Sequence, residues 1–509
     1  MKQLLQNLRD GRTVVADVPC PNPRPGAALV RTEASLVSAG TERTLVEFAE
    51  KNLLNKARSR PDLVRQVIDK ARREGIVPTL EAAFNRLDQP TPLGYSSAGR
   101  IVAVGKGLEG FQVGDRVACA GGNYAVHAEY EIIPQNLLAH IPDTVDYESA
   151  AFTTLGAIAM HGFRLAQPQL GERVAIIGMG LLGLLSAGIA SAAGCSVFGV
   201  DLDPRRIDLA HSMGFSAVTR SQAEESGRAF SHGQGFDIVL ICADARSNDP
   251  IELAGALARD RGRVISVGAV GLSIPRKIYF EKELFFQVSR SYGPGRYDPN
   301  YEEKGLDYPL GFVRWTEGRN LEGFVDLLGS RRVDVRPLIS HRFPILDAPQ
   351  AYDLITGKRG EPFLGVLLTY PHSVDEAQPA TRVQVLESQS VAPLSGEPSL
   401  GVLGAGNYAT AMFLPAIKKV GGVRKAVIAS ASGLTARSAA ERFGFSSASS
   451  SEEEILTSPD VNMVAILTRH QHHARQTLAA LRKGKHVYCE KPLAIRPEEL
   501  DENQAAMSD

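Results

Sequence analysis

VAIIGMGLLGLL, residues 174–185, decides the reading of this chain: an apolar run suited to a strand, a cluster of glycines, then an apolar run suited to a helix. Gly178, Gly180 and Gly183 make G-x-G-x-x-G at the turn between the two. Gly178 permits the tight turn, Gly180 lets backbone approach a pyrophosphate, and Gly183 lets the helix pack closely on the sheet. A diphosphate there meets unpaired N–H groups at the positive end of the helix dipole. SVFGVD then ends a second strand at Asp201, 23 residues after Gly178. A carboxylate at that point accepts hydrogen bonds from ribose hydroxyls and repels a 2′-phosphate, which favours NAD over NADP, although Arg205 and Arg206 keep NADP open.

Outward from this turn, RVAIIG, SVFGVD, FDIVLICA and GRVISVGAV alternate with helix-like stretches, the pattern of βαβ units on a parallel sheet. Upstream, ALVRTEA, AGRIVAVG, GDRVACAG and AEYEIIP predict a small, mostly β domain. It is interrupted at residues 46–87 by a segment with apolar residues at helical spacing, Leu63, Val67 and Ala71, and 9 Lys/Arg against 6 Asp/Glu, the composition of a solvated face. Downstream, PLISHRFPILDAPQAYDLI and GVLLTY read as a return to the β domain, and a stretch rich in Pro, Ser and acidic residues follows as a linker. The βαβ pattern then restarts. Gly404, Gly406 and Ala409 in GVLGAGNYA make G-x-G-x-x-A, an accepted variant of the same fingerprint, 226 residues after the first. Its second strand ends in Ser430 and Ser432 with no acidic residue, so NAD and NADP are equally open at this second turn.

A length of 509 residues calls for two or three domains. With 44% hydrophobic residues, 22% charged residues and a formal net charge of -1, the chain is of ordinary globular composition. No bulk attraction to nucleic acid or anionic membrane follows. No segment has the ~18 uninterrupted apolar residues of a membrane span, and no signal peptide is evident. The five cysteines are scattered singly, with neither disulfide nor zinc spacing, which points to a reducing, cytoplasmic setting.

The order of parts over residues 12–370 resembles the medium-chain dehydrogenase/reductases, on VPCPNPRPGAALVRT, SAGTE, PLGYSSAGRIVAVGKGLEGFQVGDRV, the first glycine loop and DVRPLISHRFPILDAPQAYDLI. The resemblance implies an α/β fold: a GroES-like β domain (1–150, with the insert at 46–87), a Rossmann domain (151–300) and a return to the β domain (301–372). After a linker (373–398) comes a second Rossmann domain (399–509). Many members carry catalytic zinc. Here the ligand positions fall on Ala39 in SAGTE, on Tyr95 in Gly94-Tyr95-Ser96 where G-H-E is usual, and near Thr154, and the cysteine-rich lobe of a structural zinc is missing. Alanine offers no donor, and neutral hydroxyls are poor substitutes for thiolate and imidazole, so no metal is expected. Thr41, at the position of the family's relay hydroxyl, and Tyr95 are then the candidates for moving a proton, with His127 and His161 as further possibilities. Residues 289–320 combine tyrosines, the only tryptophan and several charges, suited to a sugar-like ligand or to a subunit interface.

AILTRHQHHARQTLAALRKGKHVYCEKPLAI is similar to the glucose-fructose oxidoreductase/inositol dehydrogenase (Gfo/Idh/MocA) family, in which one strand ends in T-P-N-x-x-H and the next in E-K-P. Thr468 and His473 keep the ends of the first motif, with Arg469 and His470 in place of its Pro and Asn; Glu490, Lys491 and Pro492 match the second. The resemblance implies that these residues border the cofactor and that Lys491 contacts the reacting hydroxyl. That family continues into a large substrate domain, and only 17 residues follow Pro492, so this module is expected to lack its substrate wall.

The combination resembles a bidomain oxidoreductase. It implies a zinc-independent NAD(P)-linked enzyme, a homo-oligomer acting on a hydroxyl or carbonyl of a sugar-like small molecule, in a setting such as polysaccharide metabolism. A quinone- or enoyl-reductase type of reaction and a non-catalytic dinucleotide-binding sensor or scaffold are the alternatives.

Overall fold

The computed structural model describes the chain apart from residues 52–54, 57, 59–64, 66–68, 70–88, 371–379, 387–396 and 508–509. Two doubly wound sheets stand where the alternating pattern predicts them. Across the first, the strands run Ser216–Thr219, Ser196–Asp201, Arg173–Ile177, Phe236–Ile241, Ala258–Ser266 and Phe285–Val288, all parallel. They are near-continuous apolar runs because both faces are covered. Val174, Ile176, Ile238 and Ile265 are buried on one face, and Ala175, Val239, Ile241 and Val264 on the other. The strand order reverses between Arg173–Ile177 and Phe236–Ile241, so a crevice for a ligand opens at their carboxyl ends.

The N-terminal domain is a sheet in the order Ile339–Pro344, Gly365–Thr369, Ala27–Val37, Ser96–Val104, Arg116–Ala120 and Leu138–His140, with Tyr130–Pro134 pairing on the first half of Ala27–Val37. The predicted return is present: Val366 to Thr369 pair with Val37 to Ala34. Helix Thr153–Leu165 joins this domain to the Rossmann sheet, and one buried apolar cluster runs through Val30, Ile101, Val117, Phe152, Leu155, Val174 and Leu184. Of the predicted insert at 46–87, the first residues end the helix Ala39–Glu50, and most of the rest lies outside the described residues.

The second sheet runs Arg382–Gln384, Ser447–Ser449, Arg424–Ala429, Ser399–Leu403, Met463–Ile466 and His486–Cys489. Its first strand corrects the expected linker at 373–398. Arg382–Gln384 pairs antiparallel with Ser447–Ser449, because the edge of a parallel sheet leaves N–H and C=O groups that a passing extended segment satisfies. The second module also rests on the first. Cys20 N–H donates to the Ala380 carbonyl at 3.0 Å, Asn22 Nδ2 to the Ser450 carbonyl at 3.2 Å, and Arg437 to the Asp17 carbonyl. Leu434 packs with Leu5, Ala16 and Val18.

Candidate functional site

The first glycine turn has the shape that its sequence requires. Gly178 has φ +96°, and a Cβ there would lie 2.7 Å from the Ala243 amide nitrogen; a Cβ on Gly183 would lie 1.8 Å from the Gly178 carbonyl oxygen. At Gly180 the nearest group is the flexible guanidinium of Arg206, 3.6 Å from an added Cβ, so the space in front of the helix Leu181–Ala192 is open. A pyrophosphate fits this cradle, where unpaired amides face outward. Asp201 is buried at the end of its strand. Its Oδ2 accepts from Met179 N at 2.6 Å inside the turn, and its Oδ1 accepts from Asp203 N at 2.9 Å. The carboxylate therefore shapes the turn, with Arg206 at 3.5 Å.

Across the crevice, the helix Ala39–Glu50 begins at Ser38. Tyr95 Oη donates to Ser38 Oγ at 2.5 Å, and the Thr41 hydroxyl is a second partner of the same phenol. Burial pushes the Tyr95 phenol up, its hydrogen bonding with Ser38 and Thr41 opposes this, and the charge of Glu42 adds to it, so the phenol holds its proton at neutral pH. Two predicted residues, Thr41 and Tyr95, are thus brought together. Behind them lies a buried network that the sequence reading only touched at His127. Ser38 N donates to Glu42 Oε1 at 2.8 Å, Glu42 Oε2 meets His127 Nε2 at 3.2 Å and accepts from Tyr352 Oη, and Ser35 Oγ bridges His127 Nδ1 and Tyr370 Oη at 2.7 Å each. The signal for Glu42 was present: a carboxylate four residues after a serine at a helix start is placed to accept an orphan N–H. Ser35, Tyr352 and Tyr370 come from distant parts of the chain, and no local pattern marks them.

In the second module Gly404 has φ +102°, and a Cβ there would lie 2.7 Å from the Leu467 carbonyl oxygen; nothing lies within 4 Å of one added at Gly406. Ala409 is fully buried at the start of the following helical turn. This is a second open cradle. His473 is fully buried, with Nδ1 2.8 Å from the Pro492 carbonyl oxygen and Nε2 2.9 Å from that of Thr468, so it ties the two predicted motifs together. Thr468 Oγ1 donates to Gln476 at 2.6 Å. Glu490 and Lys491 stand at the carboxyl end of His486–Cys489, with Lys491 exposed. Ser430, half-buried, and the exposed Ser432 and Thr435 form a hydroxyl cluster after Arg424–Ala429, with Thr435 Oγ1 2.5 Å from Ser430 Oγ and 2.8 Å from Ser432 Oγ.

Three family models match this chain: an alcohol dehydrogenase GroES-like domain at residues 69–143, a zinc-binding dehydrogenase domain at 182–306, and an oxidoreductase family with an NAD-binding Rossmann fold at 399–509. The chain is thus similar to the medium-chain dehydrogenase/reductases over its first part and to a Gfo/Idh/MocA Rossmann module over its last. Both Rossmann domains are of NAD(P)-binding type. The medium-chain part is 28% identical over 322 residues to a D-xylulose reductase of Scheffersomyces stipitis, covering 54% of this chain and 82% of that protein. It is 28% identical over 316 residues to a sorbitol dehydrogenase of Halalkalibacterium halodurans, covering 55% and 83%. Among solved structures, the alcohol dehydrogenase TADH from Thermus sp. ATN1 superposes with a TM-score of 0.55 at 21% identity, covering 73% of this chain and 100% of that one. The galactitol-1-phosphate dehydrogenase from Escherichia coli gives 0.55 at 21% identity, covering 72% and 100%. These two likenesses show the fold.

Of the residues that the sequence sets in the expected zinc-ligand positions, Ala39 has no donor atom and the Tyr95 hydroxyl is bonded to Ser38. The Thr154 hydroxyl lies 3.3 Å and 3.4 Å from the Tyr95 and Cys119 carbonyl oxygens. Among the described residues, no three His, Cys, Asp or Glu side chains are grouped to hold a metal ion. In the same medium-chain module, the segment between Phe285–Val288 and the helix Glu317–Gly329 touches the barrel: Asn136 Nδ2 donates to the Tyr301 carbonyl at 2.9 Å, and a side chain added at Gly122 would come within 3.6 Å of Arg296. Ser291 and Tyr297 in this segment take left-handed φ of +57° and +69°, conformations that side chains rarely adopt outside sites that constrain them.

Proposed function

We propose that the medium-chain module transfers a hydride between a nicotinamide dinucleotide and a CH–OH carbon of a sugar-like substrate, without zinc, in the crevice between the β domain and the first Rossmann sheet. The observation that carries this reading is the Tyr95–Ser38 hydrogen bond of 2.5 Å, which occupies ligand ground with hydroxyl chemistry. An alanine, a bonded phenol and a bonded threonine do not suit zinc, which takes thiolate, imidazole or carboxylate. The names of the matched relatives, D-xylulose reductase and sorbitol dehydrogenase, support a polyol or sugar as substrate. When bound, the nicotinamide supplies the hydride chemistry. The chain's own part is to bind and to move a proton. The turn at Gly178 to Gly183 holds the diphosphate, and Asp201 takes the ribose hydroxyls and disfavours a 2′-phosphate, so NAD is the cofactor proposed here. Tyr95 donates its proton to a developing alkoxide, and the Ser38 and Thr41 hydroxyls stabilise the phenolate that it leaves. In the second module the two dinucleotides stay open, and Lys491 is proposed to contact a reacting hydroxyl. Exposed Phe280, Phe285 and Val288 near the edge of the first Rossmann sheet support association between copies of the chain.

The test is turnover with a panel of polyols and nucleotide sugars, together with metal analysis of protein purified without chelator. Tyr95→Phe lowers kcat by roughly 10²- to 10⁴-fold with dinucleotide affinity unchanged. Stoichiometric zinc, or an unimpaired Tyr95→Phe enzyme, would overturn the proposal.

A further inference from the structure

Two aromatic rings in the segment between Phe285–Val288 and the helix Glu317–Gly329 each carry two guanidinium groups. Arg164 and Arg314 lie 3.1 Å and 3.7 Å from the centre of the Trp315 ring; Arg290 and Arg296 lie 4.4 Å and 4.2 Å from that of Tyr297. Asn320 joins the two groups, accepting from Arg164 and donating to the Tyr292 carbonyl at 2.8 Å, and Arg296 lies 5.6 Å from the Tyr292 ring. Stacking on a ring fixes the plane of a guanidinium fork, which then presents its donors in the geometry that a phosphate matches.

The charges do not balance. Arg296 pairs with Glu302, but among the described residues no carboxylate lies within ion-pair distance of Arg164, Arg290 or Arg314. Glu317, fully buried in the same cluster, does not supply the missing charge. Burial and the neighbouring Glu302 push its carboxyl up to about 9, so it stays protonated at neutral pH. Burial, and secondarily the nearby Arg314, pull the Arg164 guanidinium down to about 10. The cluster also reaches the β domain and the strand ends of the first Rossmann sheet. Arg296 faces Gly122, and the N–H of the adjoining Gly121 donates to the Tyr95 carbonyl at 3.0 Å. Gly162, two residues before Arg164, packs against Val267 and Ser289 at the carboxyl ends of their strands, where a doubly wound sheet receives its ligand.

We propose that Arg164, Arg290, Arg296 and Arg314 bind a phosphate group of the substrate, so that the compound whose hydroxyl meets Tyr95 is a phosphate ester of a sugar or polyol. This rests on the oxidoreductase reading above and specifies its substrate. Three arginines without carboxylate partners suit a dianionic phosphate better than a neutral polyol.

Trp315 is the only tryptophan of the chain, so its fluorescence reports on this cluster alone. The full chain is titrated with sorbitol, sorbitol 6-phosphate, UDP-glucose and inorganic phosphate. The proposal expects saturable changes with the phosphate-bearing sugars at concentrations at least about 10-fold below any response to sorbitol. Arg290→Gln and Arg314→Gln, both at exposed positions, each raise the dissociation constant by about 10-fold or more, with NAD affinity unchanged. The tighter of sorbitol 6-phosphate and UDP-glucose identifies the source of the phosphate. Equal responses to sorbitol and its phosphate, no response to any phosphate ester, inorganic phosphate binding as tightly as the esters, or unchanged affinity in both variants would each overturn the assignment. Turnover of neutral polyols that both variants leave intact would remove this inference and keep the dehydrogenase. Phosphate esters that perturb Trp315 without any dinucleotide-linked turnover would do the reverse.

Discussion

Asp201 accepts the Met179 N–H inside the glycine turn, and under the proposed function it also takes the ribose hydroxyls. Asp201→Ala is expected to weaken both dinucleotides through the lost Met179 bond in the turn, and NAD by about a further 10-fold relative to NADP through the lost charge-assisted hydrogen bonds to the ribose hydroxyls. Calorimetric titration with both dinucleotides checks this, and equal weakening would refute the selectivity argument. Glu317 offers a second prediction at this scale. Its carboxyl is raised in the fold from 4.5 to about 9, so between those values the folded chain holds more protons than the unfolded one. Its contribution is therefore fully present below pH 4.5 and is lost as pH rises toward about 9. One such group gives a slope of up to ~1.4 kcal/mol per pH unit, and Glu317→Gln flattens it, as urea unfolding over that range would show.

The helix Thr153–Leu165 is the element that ties barrel to Rossmann sheet, and it does so through small residues. A Cβ on Gly156 would lie 2.3 to 2.4 Å from the ring of Phe324, which is fully buried on the helix Glu317–Gly329. The close approach of the two helices at this point depends on the missing side chain. Gly156→Ala is expected to destabilise by ~1–3 kcal/mol through overpacking, partly restored by Phe324→Leu in the same chain. Denaturant unfolding of the two single variants and the double variant measures both terms. The helix Ala39–Glu50 works in another way. Glu42 holds its first N–H group from inside the core, and Ser38 and Thr41 in its opening turn are thereby presented to Tyr95.

At the scale of the whole molecule, two glycine turns of the same design stand in one chain, and each has an open position where a side chain would fill the space proposed for phosphate without backbone strain. Gly180 and Gly406 both lie outside the left-handed region. Calorimetry with a saturating dinucleotide is expected to find two sites per chain, Gly180→Val removing one and Gly406→Val the other. A single site in the parent protein, or loss of both sites in either variant, would contradict two independent cradles. Gly406→Val also isolates the first site for the Asp201 measurement.

Much of this organisation is local and was therefore legible in the residues. A glycine that must turn at Gly178 or Gly404, an apolar run covered on both faces and an acid at the end of Ser196–Asp201 are dictated by neighbours within a few dozen positions. The return of Gly365–Thr369 to the β domain was legible as a family pattern rather than from local chemistry. Three features needed the folded chain. Arg382–Gln384 reads as linker by composition and becomes a strand because a sheet edge with unsatisfied N–H and C=O groups lies beside it. The Glu42–His127–Tyr352 network draws its members from positions up to 310 residues apart, and burial alone makes their pairing obligatory. The arginines around Trp315 and Tyr297 were visible as residues of residues 289–320 and of a helix far from it. That they share rings, and that Arg164, Arg290 and Arg314 have no acid beside them among the described residues, is a property of three-dimensional proximity, because the pairing of charges is decided by distance through space and not by order along the chain.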